Sequence, residues 1–87
     1  MDHKSIHSFK EKLDSQHQWP GHYTFKFIVP VQKVVALAAL FEGEELIEKS
    51  SSKGKYKSIT VKMFLQNSDE VIAIYIAAKK IEGIISL

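Results

Sequence analysis

The hydrophobic pattern of this 87-residue sequence predicts an α+β fold: a four-stranded antiparallel sheet with two helices on one face, plus an N-terminal helix. Two observations support it. Residues 56–65 alternate in the manner of a half-buried strand, with Lys57, Ile59, Val61, Met63 and Leu65 on one side. Two segments with helical spacing of apolar residues each follow a long strand-like segment. The resulting order is strand, helix, strand, strand, helix, strand.

The first half of the chain supplies the N-terminal helix, one strand and one core helix. Residues 5–14 place apolar side chains on one helical face, with Ser5 as the expected N-cap. We assign residues 1–18 to this helix and a linker, and residues 19–87 to the core domain. Residues 23–29 are rich in aromatic and branched side chains and predict a strand. A helix follows over residues 31–42, with Gly43 as its stop.

The second half predicts a hairpin, a helix and a last strand. A short strand over residues 45–49 leads through serines to Gly54, which permits the chain to reverse. Residues 67–70, Asn-Ser-Asp-Glu, form a capping sequence for a helix that ends before Gly83. Residues 84–87 form the last strand. This order is the ferredoxin-like βαββαβ arrangement, in which the first and third strands are central.

In this arrangement the helices leave the other face of the sheet open, and we expect a binding surface there. One alternative is that this face is only solvated. Another is that the N-terminal helix covers it through Ile6, Phe9 and Leu13, and a third is self-association through the same face. The side chains expected on the open face are those of Thr24, Lys26, Ile28, Tyr56, Thr60, Lys62 and Phe64.

The composition narrows the chemistry. The chain has no cysteine, which excludes disulfides, thiolate zinc sites and cysteine nucleophiles. All 12 basic residues are lysines and the net charge is +2. Arginine, whose side chain is best suited to bind phosphate or guanine with two hydrogen bonds, is absent. The longest apolar run, residues 34–41, is too short to span a membrane, and the N-terminus lacks the apolar region of a signal peptide. We expect a cytoplasmic protein.

A lysine cluster surrounds the predicted hairpin. It consists of Lys49, Lys53, Lys55, Lys57 and Lys62, with no acidic residue between its members. The tip at Gly54 could hold a phosphate or an acidic partner surface. The alternative is a solvated turn whose charges protect the hairpin edge, together with the glutamates that precede it.

Other candidate chemistry is poorly supported by the sequence. An RNA-recognition motif needs aromatic residues where this chain has Lys55 and Lys57, which argues against nucleic acid. His3 and His7 are spaced for one helical face, but no carboxylate or cysteine completes a metal set at a recognised spacing. The hairpin serines sit in no nucleophile elbow. We therefore expect no enzymatic activity and no cofactor.

Several local patterns resemble one known family. Residues 52–61, SKGKYKSITV, match serine, lysine, glycine, any residue, tyrosine, any residue, serine and an alternating strand. Residues 19–20 are Trp-Pro, residues 74–75 are Ile-Tyr, and the last strand ends at Leu87. Over residues 19–87 the sequence resembles the YbeD-like family of small, uncharacterised bacterial proteins. The resemblance implies a ferredoxin-like fold similar to the ACT regulatory domains of amino-acid metabolism, with no activity to transfer.

The sequence departs from the family pattern at the end of the first strand. The family commonly has glycine there, where ACT domains often bind amino acids, whereas this chain has Val29 and Pro30. Proline lacks the backbone N–H, which argues against amino-acid binding of that kind.

Two hypotheses about function follow. The first is a non-catalytic regulatory or protein-interaction module that binds a protein partner, or itself, through the open face and the hairpin. The second is an ACT-like sensor of an amino acid or another small metabolite. The residues expected to contribute to the interaction are Lys53, Gly54, Lys55, Tyr56, Ser58, Lys62 and Phe64.

Overall fold

The computed structural model describes residues 3–51 and 53–87. Three helices and four strands occur within these ranges: α1 (His3–Gln16), β1 (Gly21–Pro30), α2 (Val34–Ala39), β2 (Ile47–Ser50), β3 (Tyr56–Leu65), α3 (Ser68–Lys79) and β4 (Ile85–Ser86). A 3-10 turn, Val31–Lys33, leads from β1 into α2. The α+β, ferredoxin-like prediction is confirmed.

The sheet has the strand order β2-β3-β1-β4 and all its pairs are antiparallel. The two ten-residue strands are central and pair along their full length, from Gly21 opposite Leu65 to Pro30 opposite Tyr56. The edge strands are short, because β2 pairs with only four residues of β3 and β4 with only two of β1. The prediction that the first and third strands are central is therefore confirmed.

The core lies between the sheet and the helices. Alternate side chains of β1 and β3 point into it, and Phe25, Phe27 and Ile59 are fully buried. The helices contribute the remaining buried apolar side chains: Leu13, Leu37, Val71, Ile72 and Ala78, with Phe41 from the segment after α2.

Helix α1 packs beside α3 in the helical layer. Leu13 joins the core with only 4% of its surface exposed, and the rings of Phe9 and Tyr75 meet edge to face at 5.5 Å. Lys10 Nζ donates to Ser68 Oγ at 2.8 Å and lies 3.1 Å from Asp69 Oδ1. The alternative in which this helix covers the open face of the sheet is therefore wrong.

Several predicted boundaries differ from the structure. Helix α1 begins at His3, so Ser5 lies inside it and is not its N-cap. Residues 31–33 form the 3-10 turn, and α2 ends at Ala39, before the predicted residue 42. Strand β2 is shifted by one to two residues from the predicted 45–49. Gly43 and Gly83 have positive φ of 85° and 81°, but each lies four residues beyond the last residue of its helix, in the turn that follows, and so is not the helix stop that the sequence predicted.

The start of α3 is capped in both directions. Asn67 Oδ1 accepts a hydrogen bond from the Glu70 backbone N–H at 3.0 Å. The Glu70 carboxylate in turn accepts from the backbone N–H of Gln66 at 2.9 Å. The N–H of Glu70 lies in the first turn and has no acceptor within the helix, and the N–H of Gln66 precedes the helix. Both groups thus find a side-chain acceptor.

Loss of this cap should destabilise the fold measurably. We expect Asn67→Ala to lower the free energy of unfolding by about 1 kcal/mol, because the Glu70 N–H loses its acceptor. Asn67→Ser, which retains a capping oxygen, should stay close to the wild type. Urea denaturation of the three proteins measures both values, and equal losses in the two variants would contradict the capping role.

Candidate functional site

The open face of the sheet is formed by side chains of all four strands. Because directly paired residues share a face, the register extends the face from the central strands to the edges. Its members are His22, Thr24, Lys26 and Ile28 from β1, Tyr56, Ser58, Thr60, Lys62 and Phe64 from β3, Ile47 and Lys49 from β2, and Ile85 from β4. No helix in the described part of the chain covers this face.

Large apolar side chains lie on this face in contact with solvent. Tyr56, Phe64, Ile47 and Ile85 are each between 44% and 57% exposed. Ile85 is paired with Ile28, so two isoleucines lie side by side at one edge. Exposed apolar residues of this face therefore lie on three of its four strands, and the half-buried Ile28 comes from the fourth.

The charge of this face has a single sign. Lys26, Lys49 and Lys62 come from three different strands. Glu48 is the only acidic residue within the four strands, and it is paired with the buried Ile59, so it lies on the helical side. The face therefore combines positive charge with apolar side chains and has no carboxylate of its own.

The hairpin between β2 and β3 adds two further lysines at one end of the face. Gly54 has φ of 70°, and its N–H donates to the Ser51 carbonyl at 3.1 Å. The Ser51 N–H donates to the Tyr56 carbonyl at 2.9 Å, which closes the turn. Lys53 and Lys55 are exposed and line a shallow cleft of about 190 Å³ with Ser51 and Tyr56. Ser52, part of the predicted motif, lies outside the described residues.

One member of the predicted lysine cluster belongs to the other side of the sheet. Lys57 Nζ lies 3.1 Å from Glu48 Oε1, and both residues face the helical side. Its charge is therefore compensated locally by one of the glutamates that precede the hairpin. Lys49, Lys53 and Lys55 remain near Tyr56, and Lys62 lies farther along β3.

The two exposed aromatic residues of the predicted site lie at opposite ends of β3. Eight residues separate Tyr56 from Phe64, a distance of about 26 Å along an extended strand. Phe64 contacts the ring of His22 edge to face at 5.2 Å, whereas Tyr56 lies beside the hairpin clefts. The structure therefore places the predicted site residues on one face but not in one pocket.

The loop after β1 uses its available backbone donor. Pro30 has no N–H, and the N–H of Val31 donates to the Lys55 carbonyl at 3.0 Å. A ligand beside this loop, in the manner of ACT domains, would find neither N–H free. This geometry adds to the argument from the sequence against amino-acid binding at that position.

The histidines are dispersed. His7 Nε2 lies 3.0 Å from Glu11 Oε1 on α1, His17 contacts the rings of Trp19 and Tyr23, and His22 lies on the open face. Over residues 3–51 and 53–87, no group of three or more histidine, aspartate or glutamate side chains is arranged to hold a metal ion.

The sequence did not identify four residues of the open face; His22 was missed because it precedes residue 23, the predicted start of the first strand. Ile47, Lys49 and Ile85 were not among its predicted members, since their positions depend on the pairing of the two edge strands. A four-residue and a two-residue strand carry too little alternation to fix their register from sequence. The alternation within β1 and β3 was sufficient for the central residues.

Comparison with known families identifies the chain. The sequence profile of the family described as "Protein of unknown function (DUF493)" matches residues 14–87. The chain belongs to this family. YbeD is a member of it, so the resemblance seen in the sequence is confirmed. The DUF493 match begins within α1 and includes all four strands of the sheet and the hairpin.

No significant match was found among curated proteins or solved structures. Within the described ranges of this DUF493 protein, no helix has the length and the hydropathy needed to cross a bilayer.

Proposed function

We propose that this protein is a non-catalytic interaction module whose open sheet face binds an acidic, partly apolar surface of another protein. The observation that supports it is the combination of Lys26, Lys49 and Lys62 with exposed apolar side chains on a face without a carboxylate. We place this interaction in the cytoplasm, as expected from the sequence.

The apolar and charged side chains have different roles in this proposal. Burial of Ile28, Ile47 and Ile85 supplies binding free energy at about 25 cal/mol per Å² of apolar surface removed from water. The lysines add long-range attraction, which raises the association rate and fixes the orientation of an acidic partner. A partner with carboxylates beside leucine or isoleucine side chains satisfies both requirements.

Self-association through this face is the less favoured arrangement. A two-fold interface places the same patch on both subunits, so the three lysines of one copy would face those of the other. Like charges brought together at an interface oppose association unless acidic groups compensate them. No strand of the sheet provides such a group on this face.

RNA is also less favoured than a protein partner. Single strands are held by successive aromatic side chains on which neighbouring bases stack. Tyr56 and Phe64 are about 26 Å apart, and isoleucines and lysines lie between and around them. The absence of arginine removes the side chain that most often grips phosphate with two hydrogen bonds.

Charge reversal on the open face should abolish most of the binding. The probe is a synthetic peptide of alternating glutamate and leucine, whose side chains match the lysines and isoleucines. We expect Lys26→Glu combined with Lys62→Glu to weaken binding at least about tenfold, since attraction becomes repulsion at two positions. Calorimetric titration measures the affinity, and NMR shifts of backbone amides locate the binding surface.

The control places the same charge change elsewhere. Lys4 and Lys12 lie on α1 and are exposed, so Lys4→Glu combined with Lys12→Glu alters the net charge equally but leaves the sheet intact. Equal weakening in both double variants would show that only net charge matters and would overturn the proposal. Tighter binding of single-stranded poly(U) RNA than of the peptide would also overturn it, as would a dimer that the sheet variant dissociates.

A further inference from the structure

A groove separate from the open face lies between the helical layer and one edge of the sheet. It has a volume of about 500 Å³, within the range of small-molecule sites in proteins. Its walls come from α1, α3, β1 and the C-terminal segment. The lining residues are Phe9, Tyr23, Tyr75, Lys79, Ile84, Ser86 and Leu87. It exists because β4 pairs only with Phe27 and Ile28 and leaves the edge of β1 near Tyr23 uncovered.

Two tyrosines form the polar centre of the groove. The Tyr23 and Tyr75 hydroxyl oxygens are 3.0 Å apart, and either group can donate to the other. Burial, together with this hydrogen bond, raises the pKa of Tyr75 well above its ordinary value, so its hydroxyl stays neutral. Two neutral hydroxyls carry two hydrogens, and their mutual bond uses only one of them. The other hydrogen can be donated to an oxygen of a ligand.

Lys79 provides the positive charge at this groove. It follows Tyr75 by four residues, so both side chains lie on the same face of α3. Among the residues that the structure describes, Lys79 forms no ion pair, whereas Lys10 and Lys57 both do. None of the side chains that line the groove is a carboxylate. A ligand with a negative group would therefore meet an ammonium that no lining side chain opposes.

We propose that this groove binds a small apolar monocarboxylate. Its hydrocarbon part would contact Phe9, Ile84 and Leu87. Its carboxylate would accept hydrogen bonds from Lys79 Nζ and from the free hydroxyl of the tyrosine pair, a charge-assisted arrangement. A free amino acid fits less well, because its ammonium would lie near that of Lys79 and no lining side chain is a carboxylate.

The test uses octanoate as the probe, together with two comparison compounds. Octanamide retains the chain and a carbonyl but lacks the negative charge, and L-leucine adds an ammonium. We expect octanoate to bind at least about tenfold more tightly than either compound. Two-dimensional NMR of the intact protein gives the affinity from each titration. The shifted amides should belong to the groove-lining segments and not to Lys26 or Lys62.

Two neighbouring lysines provide a matched pair of variants. We expect Lys79→Met, which keeps the side-chain length but removes the charge, to weaken octanoate binding about tenfold and octanamide binding little. Lys80→Met alters the next residue, which is exposed and does not line the groove, and should bind like the wild type. Tyr23→Phe combined with Tyr75→Phe should weaken octanoate binding severalfold, because no tyrosine hydroxyl is then left to donate to the carboxylate.

The results that overturn the assignment are specific to the groove. Equal affinity for octanoate and octanamide would show that the negative charge of the ligand does not contribute to binding. Equal weakening by Lys79→Met and Lys80→Met would show that binding does not depend on the lysine that lines the groove. Shifts confined to the open sheet face would relocate the binding. No binding of octanoate at millimolar concentration would also overturn the proposal, and would leave the proposed peptide interaction of the open face unaffected.

Discussion

Phe25→Ala should destabilise the protein by about 3–5 kcal/mol, enough to leave a domain of this size partly or fully unfolded. Phe25 is fully buried at the centre of β1. Its ring lies 4.9 Å from that of Tyr23, 5.2 Å from Tyr75 and 5.6 Å from Phe41. The truncation therefore leaves a cavity and also removes several aromatic contacts. Urea denaturation monitored by circular dichroism measures the loss.

The same truncation on the other face of the sheet is the control. Phe64 lies on β3 and is 54% exposed, with His22 as its aromatic neighbour. We expect Phe64→Ala to change the free energy of unfolding by only about 0.5 kcal/mol. Similar losses in the two variants would contradict the assignment of the two faces. A stable Phe64→Ala protein with weakened peptide binding would separate the role of this side chain in binding from any role in folding.

The fold was predictable because its longest elements carry strong local signals. The alternation over β3 fixed which side of the strand is buried, and the aromatic pattern of β1 did the same for its neighbour. Asn67 and Glu70 marked the start of α3, since a cap is a local interaction. Such signals were weaker for β2, and its predicted bounds were displaced accordingly.

Features that depend on contacts between distant segments were not predictable. Three apolar residues on α1 indicate an amphipathic helix, but they do not specify the surface on which it packs. That choice depends on Phe9 meeting Tyr75 and Lys10 meeting Ser68, contacts between residues more than fifty positions apart. The groove beside Tyr75 follows from the same packing, so no sequence pattern indicated it.

The candidate site was predicted only in part, for the same reason. Lys62 and Phe64 were placed on the open face from alternation alone, and the register confirms their positions. Lys57 belongs to the lysine cluster in sequence, but the same alternation places it on the side of Ile59. The strand pleat sends it to the side where Glu48 lies. A charge cluster in a strand must therefore be divided by face before it is interpreted.

Leu13→Ala should lower the free energy of unfolding by about 2–4 kcal/mol, because α1 contributes this side chain to the core. In a chain of this length that corresponds to a decrease in melting temperature of roughly 10 °C or more. Leu87→Ala, the same truncation at a residue that is 63% exposed, should cost about 0.5 kcal/mol. A thermal melt of both variants measures the difference, and a small effect of Leu13→Ala would mean that α1 is not docked.

The same variant also tests where α1 lies with respect to the proposed function. Leu13 and Phe9 contact the helical side of the molecule, whereas Lys26 and Lys62 lie on the opposite face of the sheet. At a temperature where Leu13→Ala remains folded, we expect it to bind the glutamate-leucine peptide with wild-type affinity. Tighter binding would indicate that α1 normally competes for the open face, and the peptide surface would then be regulated by its own N-terminal helix. Unchanged binding supports a face that is permanently accessible. The partner's carboxylates then determine when the interaction forms, and no movement of this chain is needed.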